Sequence, residues 1–200
     1  KIINKNPMEF VHENTLMNLN LLKASAENNI KVFIFLSSTV VYPDTKKEVA
    51  EDDVNFTFFH KYNNVAWMKI YSEKVCEMYK NKFKILIVRP SNLYGPYDKF
   101  DKDKSKVIPS LIRKFENNKI VKVWGDGKEK RDFIYIDDFI QILLKIKSKS
   151  FNFLILNVAS GKMYSINKLI KIIKTNYSKK KFKFLSNRLK MIAVRKINIL

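Results

Sequence analysis

Two hundred residues, 46% of them apolar, are enough to bury one sizeable core, and no run approaches the ~18 uninterrupted apolar residues of a membrane-spanning helix. The single cysteine, Cys76, excludes an internal disulfide and fits a reducing, cytoplasmic setting; with only His12 and His60 beside it, no zinc-type metal site can be assembled. The formal charge of +20 comes from lysines spread along the whole chain, with Lys179-Lys180-Lys181 the one compact block, so it reads as solvated surface rather than a nucleic-acid face.

Taken in chain order, Pro7 followed by Phe10, Leu16, Leu19, Leu21 and Leu22 predicts a helix to about Glu27, ended by Asn28-Asn29. The apolar run at 32–36 predicts a buried strand. Residues 42–60 have no period and carry several acids, which predicts a loop. A helix over about 65–79 follows, with Asn63-Asn64 ahead of it, and then a strand ending at Val88. Helix 107–117, strand 120–124, a turn at Gly125-Asp126-Gly127 and strand 133–136 come next. Asp137 or Asp138 is expected to cap a helix reaching about Lys147. Strand 153–158, a turn at Gly161 and helix 165–175 complete the regular part, and the basic tail beyond Lys179 has no assignable pattern. Alternating buried strands and helices predict an α/β fold, a parallel sheet with helices on both faces.

The segment Val88-Arg89-Pro90-Ser91-Asn92-Leu93-Tyr94-Gly95-Pro96 leaves a buried strand and breaks into a loop with the first glycine of the chain. Open α/β sheets keep their ligands at such carboxyl ends. With Ser37-Ser38-Thr39 before it and Trp124-Gly125-Asp126-Gly127 after it, the segment resembles the extended short-chain dehydrogenase family of nucleotide-sugar epimerases, dehydratases and reductases, and looks most like its GDP-fucose synthase branch. The resemblance runs from about Asn6 to Gly161. It implies a Rossmann-like sheet lacking its N-terminal segment, with 1–95 a partial dinucleotide-binding region. Residues 96–200 would be mainly a substrate-binding region, with sheet elements of 133–158 interleaved.

The resemblance also implies roles. Ser38 would hydrogen-bond the reacting sugar oxygen, and Lys69 would hold the nicotinamide ribose of NAD or NADP. Pro90 and Ser91 would line the nicotinamide. Asn92 would contact the sugar, and Lys106 stands where the branch carries a histidine acid. Lys114 would reach the nucleotide diphosphate, while Trp124 and Arg131 would clamp the nucleotide, arginine by bidentate phosphate geometry. The family pattern also pairs the helices around 8–27 and 65–80 between subunits, which implies a homodimer. Each residue has a plainer reading beside this one. Ser38 could simply end a strand, Lys69 and Lys106 could be solvated, Asn92 could serve a turn and Trp124 could pack in the core.

Two departures bear on activity. The family's catalytic tyrosine, four residues before the lysine, is Val65 here, and valine has no proton to give. Residues 1–94 contain no glycine, so the phosphate-cradling turn of a dinucleotide site has no counterpart. Tyr62 lies seven residues before Lys69, about 10 Å along a helix at ~1.5 Å per residue, too far to act as its partner. Starting at Lys1, the chain reads as a fragment or processed product. The expected function is that of an NAD(P)-dependent nucleotide-sugar enzyme retaining its substrate side; the alternative is a non-catalytic nucleotide-sugar-binding or dimerising protein. Cys76 reads as packing, the acids at 137–138 as helix-starting residues, the Asn55 and Asn176 glycosylation triplets as chance, and Arg195 as a faint phosphate contact.

Overall fold

The computed structural model describes residues 6–45, 47–58, 60–102, 105–185 and 196–199. Arg195 lies outside them. The central sheet is all parallel and three-stranded: β1 (Val32–Leu36), β3 (Lys84–Pro90) and β7 (Phe153–Val158), in the order β1-β3-β7. β3 is the middle strand, and Ile85, Leu86, Ile87 and Val88 are each fully buried. Strand side chains alternate between faces. Ile85 and Ile87 pack with Leu22 of α1 (Pro7–Glu27) and with Val75 and Cys76 of α2 (Asn63–Met78). Leu86 and Val88 pack on the opposite face with Phe139 of α4 (Ile136–Lys147). This two-sided cover is why β3 reads as a continuous apolar run rather than an alternating one.

The remaining strands form small pairings around this sheet. β4 (Asn92–Tyr94) runs parallel to β6 (Lys130–Tyr135), which pairs antiparallel with β8 (Met163–Ser165). β5 (Ile120–Trp124) runs parallel to β9 (Lys181–Leu185), and β2 (Glu48–Val49) to β10 (Lys196–Ile197). A separate apolar cluster joins Leu111 and Phe115 of α3 (Val107–Asn117) to Val121 of β5 and to Leu169 and Ile170 of α5 (Ile166–Lys174).

Several local expectations change. The segment after Pro90 continues as β4 rather than a loop, because β6 supplies its hydrogen-bond partners. The stretch 42–60 holds β2, paired with a segment almost 150 residues away in sequence. Helix α2 starts at Asn63, so Asn63 and Asn64 lie inside it. The N-cap of α4 is Tyr135; Asp137 and Asp138 sit in its first turn, where their charge complements the helix dipole without capping it. Gly95 is required by packing, since a Cβ there would lie 2.4 Å from Ile136 Cγ2. Gly125 and Gly127 do turn the chain with positive φ, of 83° and 77°. Among the described residues no helix is long and apolar enough to cross a membrane.

Candidate functional site

Because β1 and β3 are parallel and in register, Leu36 opposite Val88, their carboxyl ends open on one rim. Ser37 N donates to Val88 O at 2.8 Å, and Ser91 N to Val158 O at 2.9 Å, so the segments leaving the strands are held by the ladder itself. Above this rim lies a cavity of about 430 Å³. Ser38, Pro90, Ser91 and Asn92 line it from the strand ends, and Lys106 and Ile108 from the start of α3. Arg131 and Glu129 line it from the β6 side, and Tyr62 from the residue before α2. Six residues singled out in the sequence (Ser38, Pro90, Ser91, Asn92, Lys106, Arg131) therefore share one chamber.

Each has a distinct local setting. Ser38 caps a short 3-10 turn, its Oγ accepting from Val40 N at 3.3 Å; an oxygen used this way keeps its proton for another acceptor. Lys106 is the N-cap of α3 and makes no side-chain cap bond, so the helix's N-terminal amides and the Lys106 residue meet at the chamber wall. The Arg131 side chain is 14% exposed and meets Glu129 at 3.3 Å. Burial pushes its pKa down, and the charges of Glu129 and Tyr62 oppose that shift. Two cationic residues against one carboxylate leave the chamber suited to an anion.

Two buried groups that the sequence did not single out hold this arrangement. Asp132 is 3% exposed and accepts from Ser91 Oγ at 2.6 Å, Ser160 N at 2.9 Å and Ser160 Oγ at 3.0 Å. Its carbonyl accepts from Asn92 Nδ2 at 2.8 Å. The Ser91 hydroxyl is thus tied to the scaffold, and the Asn92 amide is oriented by it. Behind the rim, Arg89 forms a bidentate pair with Glu73, at 3.0 Å from Nε and 2.6 Å from Nη2. Its Nη1 donates to Tyr42 Oη at 3.0 Å and to Glu51 O at 2.6 Å. Ser37 Oγ also donates to Glu73, and Tyr42 Oη to Asn157 Oδ1 at 2.6 Å. Burial lowers the Arg89 pKa, but the hydrogen bonds and charge of Glu73, with Tyr42, more than offset it and hold it above the ordinary value. Asp132 shows only as one acid within a strand motif, and Arg89 only as a charge after four apolar residues; the latter is the signal that could have been read.

Three predicted residues lie outside the chamber's lining. Lys69 on α2 donates to Leu36 O at 2.8 Å and sits 4.9 Å from the Phe35 ring centroid, at the carboxyl end of β1. Burial lowers its pKa, with Glu73 opposing. Lys114 donates to Lys122 O at 3.0 Å and stands 5.2 Å from the Trp124 ring centroid. Trp124 is 57% exposed, so it forms a surface platform with Lys114 rather than core.

Residues 3–159 match the model of the NAD dependent epimerase/dehydratase family. The chain belongs to this family. Among its relatives, the GDP-L-colitose synthase of Yersinia pseudotuberculosis is 36% identical over 84% of this chain and 58% of its own length. The GDP-L-fucose synthase of Sinorhizobium fredii is 32% identical over 84% of this chain and 56% of its own. Among solved structures, the UDP-N-acetylglucosamine 4-epimerase of Methanobrevibacter ruminantium M1, in complex with UDP-N-acetylmuramic acid, superposes with a TM-score of 0.87. It is 27% identical, over 98% of this chain and 63% of that one. The chain spans a little over half the length of these curated relatives.

The described residues of this family member fit a dinucleotide only in part. Lys69 lies against the carboxyl end of β1 and Pro90–Ser91 at the carboxyl end of β3. Among the described residues no glycine-rich turn leads from a strand into a helix: Gly95 packs on Ile136, Gly125 and Gly127 follow β5, and Gly161 follows β7.

Proposed function

We propose that the chamber binds a nucleotide sugar, with its anionic diphosphate against Arg131 and the α3 N-terminus and its sugar against Ser38 and Asn92. The observation that carries this reading is the convergence of a strand-end hydroxyl, an oriented amide and a desolvated guanidinium on one cavity of about 430 Å³, the size of a small-molecule site. A guanidinium favours phosphate through paired, charge-assisted hydrogen bonds. The likeness to GDP-L-colitose and GDP-L-fucose synthases supports GDP-linked sugars as the substrate class. Lys114 and Trp124, stacked side by side on the surface, would extend the site toward the base.

The whole protein would be an epimerase, dehydratase or reductase using NAD or NADP, whose part is to exchange hydride with a sugar carbon. Lys69 and Pro90–Ser91 would face that group. Val65 supports a second reading, in which this chain binds nucleotide sugars without turning them over. A homodimer through α1 and α2 is supported by their exposed apolar side chains, Met17 and Leu21 on one helix and Trp67 and Tyr71 on the other.

Calorimetric titration of the chain with GDP- and UDP-sugars tests the central reading. Binding that weakens with Arg131→Ala and with Ser38→Ala supports it, whereas indifference to both substitutions sinks it. Nicotinamide absorbance with the same sugars, before and after Val65→Tyr, separates the enzyme from the binding module.

A further inference from the structure

The lysines run the length of the chain, but the acids do not. All nineteen Asp and Glu residues lie within 1–138, whereas 139–200 hold fifteen Lys and Arg and no acid. Most of the charge of +20 therefore belongs to the last third, an asymmetry of the kind that suits a polyanionic partner. The fold gathers part of that charge on one face. β5 and β9 pair in parallel, with Val121 opposite Phe182 and Val123 opposite Phe184, and these four pack into the apolar cluster with Leu169 and Ile170 of α5. The alternate residues are exposed: Ile120, Lys122 and Trp124 on β5, Lys181 and Lys183 on β9. Lys122 is the register partner of Lys183, on a strand about 4.8 Å away, and Lys181 precedes Lys183 by about 6.6 Å along β9. Like charges set abreast repel, and an anion laid over them relieves that repulsion. None of these three lysines has an ion-pair partner among the described residues, and none lines the chamber. Glu116, at the end of α3, is engaged by the Tyr177 hydroxyl, and Asp126 accepts from Lys128 N at 2.9 Å. Lys114 donates to Lys122 O at 3.0 Å and Lys174 of α5 stands 6.0 Å from the Phe182 ring centroid, so both border the pair of strands.

We propose that the exposed face of the β5–β9 pair binds single-stranded nucleic acid through its phosphate backbone, in place of the evenly solvated surface that the lysines alone suggest. The function is separate from the chamber and does not rest on it. Lysines at two-residue intervals on an extended strand follow the successive phosphates of an extended nucleic-acid strand, and each contact releases counterions whatever the base. Trp124, 57% exposed on the same face, adds an aromatic surface of the kind on which bases stack. An anionic membrane fits this face less well. The apolar side of α5 is spent on the cluster beneath the strands, and Ile120 and Trp124 stand at opposite ends of β5 with Lys122 between them. No continuous apolar strip is left on these strands to enter a bilayer.

Fluorescence anisotropy of a labelled oligothymidylate of about 20 nucleotides, titrated with the chain over a series of salt concentrations, tests this. Thermal melts establish that each variant is folded. Lys122→Gln with Lys183→Gln should weaken binding roughly tenfold or more at low salt and lower the slope of log affinity against log salt by about 1.4, since each single-strand phosphate contact contributes ~0.7. Lys181→Gln alone should lower the slope by about 0.7. Lys82→Gln with Lys99→Gln removes the same charge from exposed positions in the acid-bearing part and should bind like wild type. Equal weakening by the two double variants overturns the proposal, because bulk charge would then explain the binding. A wild-type chain that ignores the oligonucleotide overturns it as well, and binding to phosphatidylserine vesicles alone would give the face to a membrane surface instead.

Discussion

The two arginine–glutamate pairs flanking the strand rim make opposite use of the same chemistry. Arg89 and Glu73 are 3% and 5% exposed, bidentate, and further satisfied by Tyr42, Ser37 and the Glu51 carbonyl. Arg131 and Glu129 are 14% and 21% exposed and meet at 3.3 Å, and Arg131 Nη1 also donates to Lys130 O at 3.0 Å. Burial depresses both guanidinium pKa values; only at Arg89 do the partners more than reverse it. A saturated, sealed pair holds strands together and has nothing left to offer a ligand. A less buried pair that lines the chamber wall can face a ligand there.

The contrast can be broken most directly at the sealed pair. Glu73→Ala leaves a buried guanidinium uncompensated and should cost about 3–5 kcal/mol in urea unfolding. Replacing both partners, Arg89→Met with Glu73→Leu, should recover much of that loss. Arg131→Ala should shift the unfolding midpoint little, yet weaken nucleotide-sugar binding by ~10-fold or more, the cost of a charge-assisted contact. An Arg131 variant that unfolds as readily as Glu73→Ala would erase the distinction.

Asp132→Asn tests the scaffold between the two pairs. It weakens acceptance from Ser91 and Ser160 and should cost about 1–2 kcal/mol of stability, with a smaller loss of ligand affinity through the loosened Ser91 at the chamber wall. The smallest effect belongs to Cys76, packed beside the sealed pair. Burial first, and the charge of Glu73 second, push its thiol up to about 12 from 9.0. A raised acid keeps its proton in the folded state while the unfolded chain loses it, so this stabilisation is intact below pH 9 and is lost as pH climbs toward 12. Between pH 9 and 10 the decline should be about 1 kcal/mol, measured by urea titration and flattened in Cys76→Ala. Iodoacetamide should leave the native thiol nearly unlabelled at pH 8 and label it readily in urea.

How far the chain could be read without coordinates follows from where each partner lies. Short uninterrupted apolar runs such as 32–36 and 85–88 announce strands buried on both faces, and the structure places them side by side. Helices α1 and α3 and strands β5 and β7 carry equally local signals and fall where their patterns place them. β2 could not be seen, since two residues have no periodicity and its partner sits at Lys196–Ile197. β4 was hidden for the same reason: Asn92–Tyr94 looks like a turn until β6 pairs with it. In the chamber, Ser38, Asn92 and Arg131 are visible through their motifs. Glu129 and Tyr62 follow no motif and enter it only because β6 and α2 bring them there.

Local composition by itself determined the alternation of buried strands and amphipathic helices, and with it the parallel core and the rim where ligands collect. Apolar period and turn chemistry act over a few residues, and so survive in a one-dimensional reading. Tertiary structure alone decided which charges were sealed behind the rim and which line the chamber. Desolvation and hydrogen-bond saturation depend on neighbours 16 to more than 100 residues away, as at Arg89–Glu73 and Tyr42–Asn157. No spacing rule along the chain encodes them.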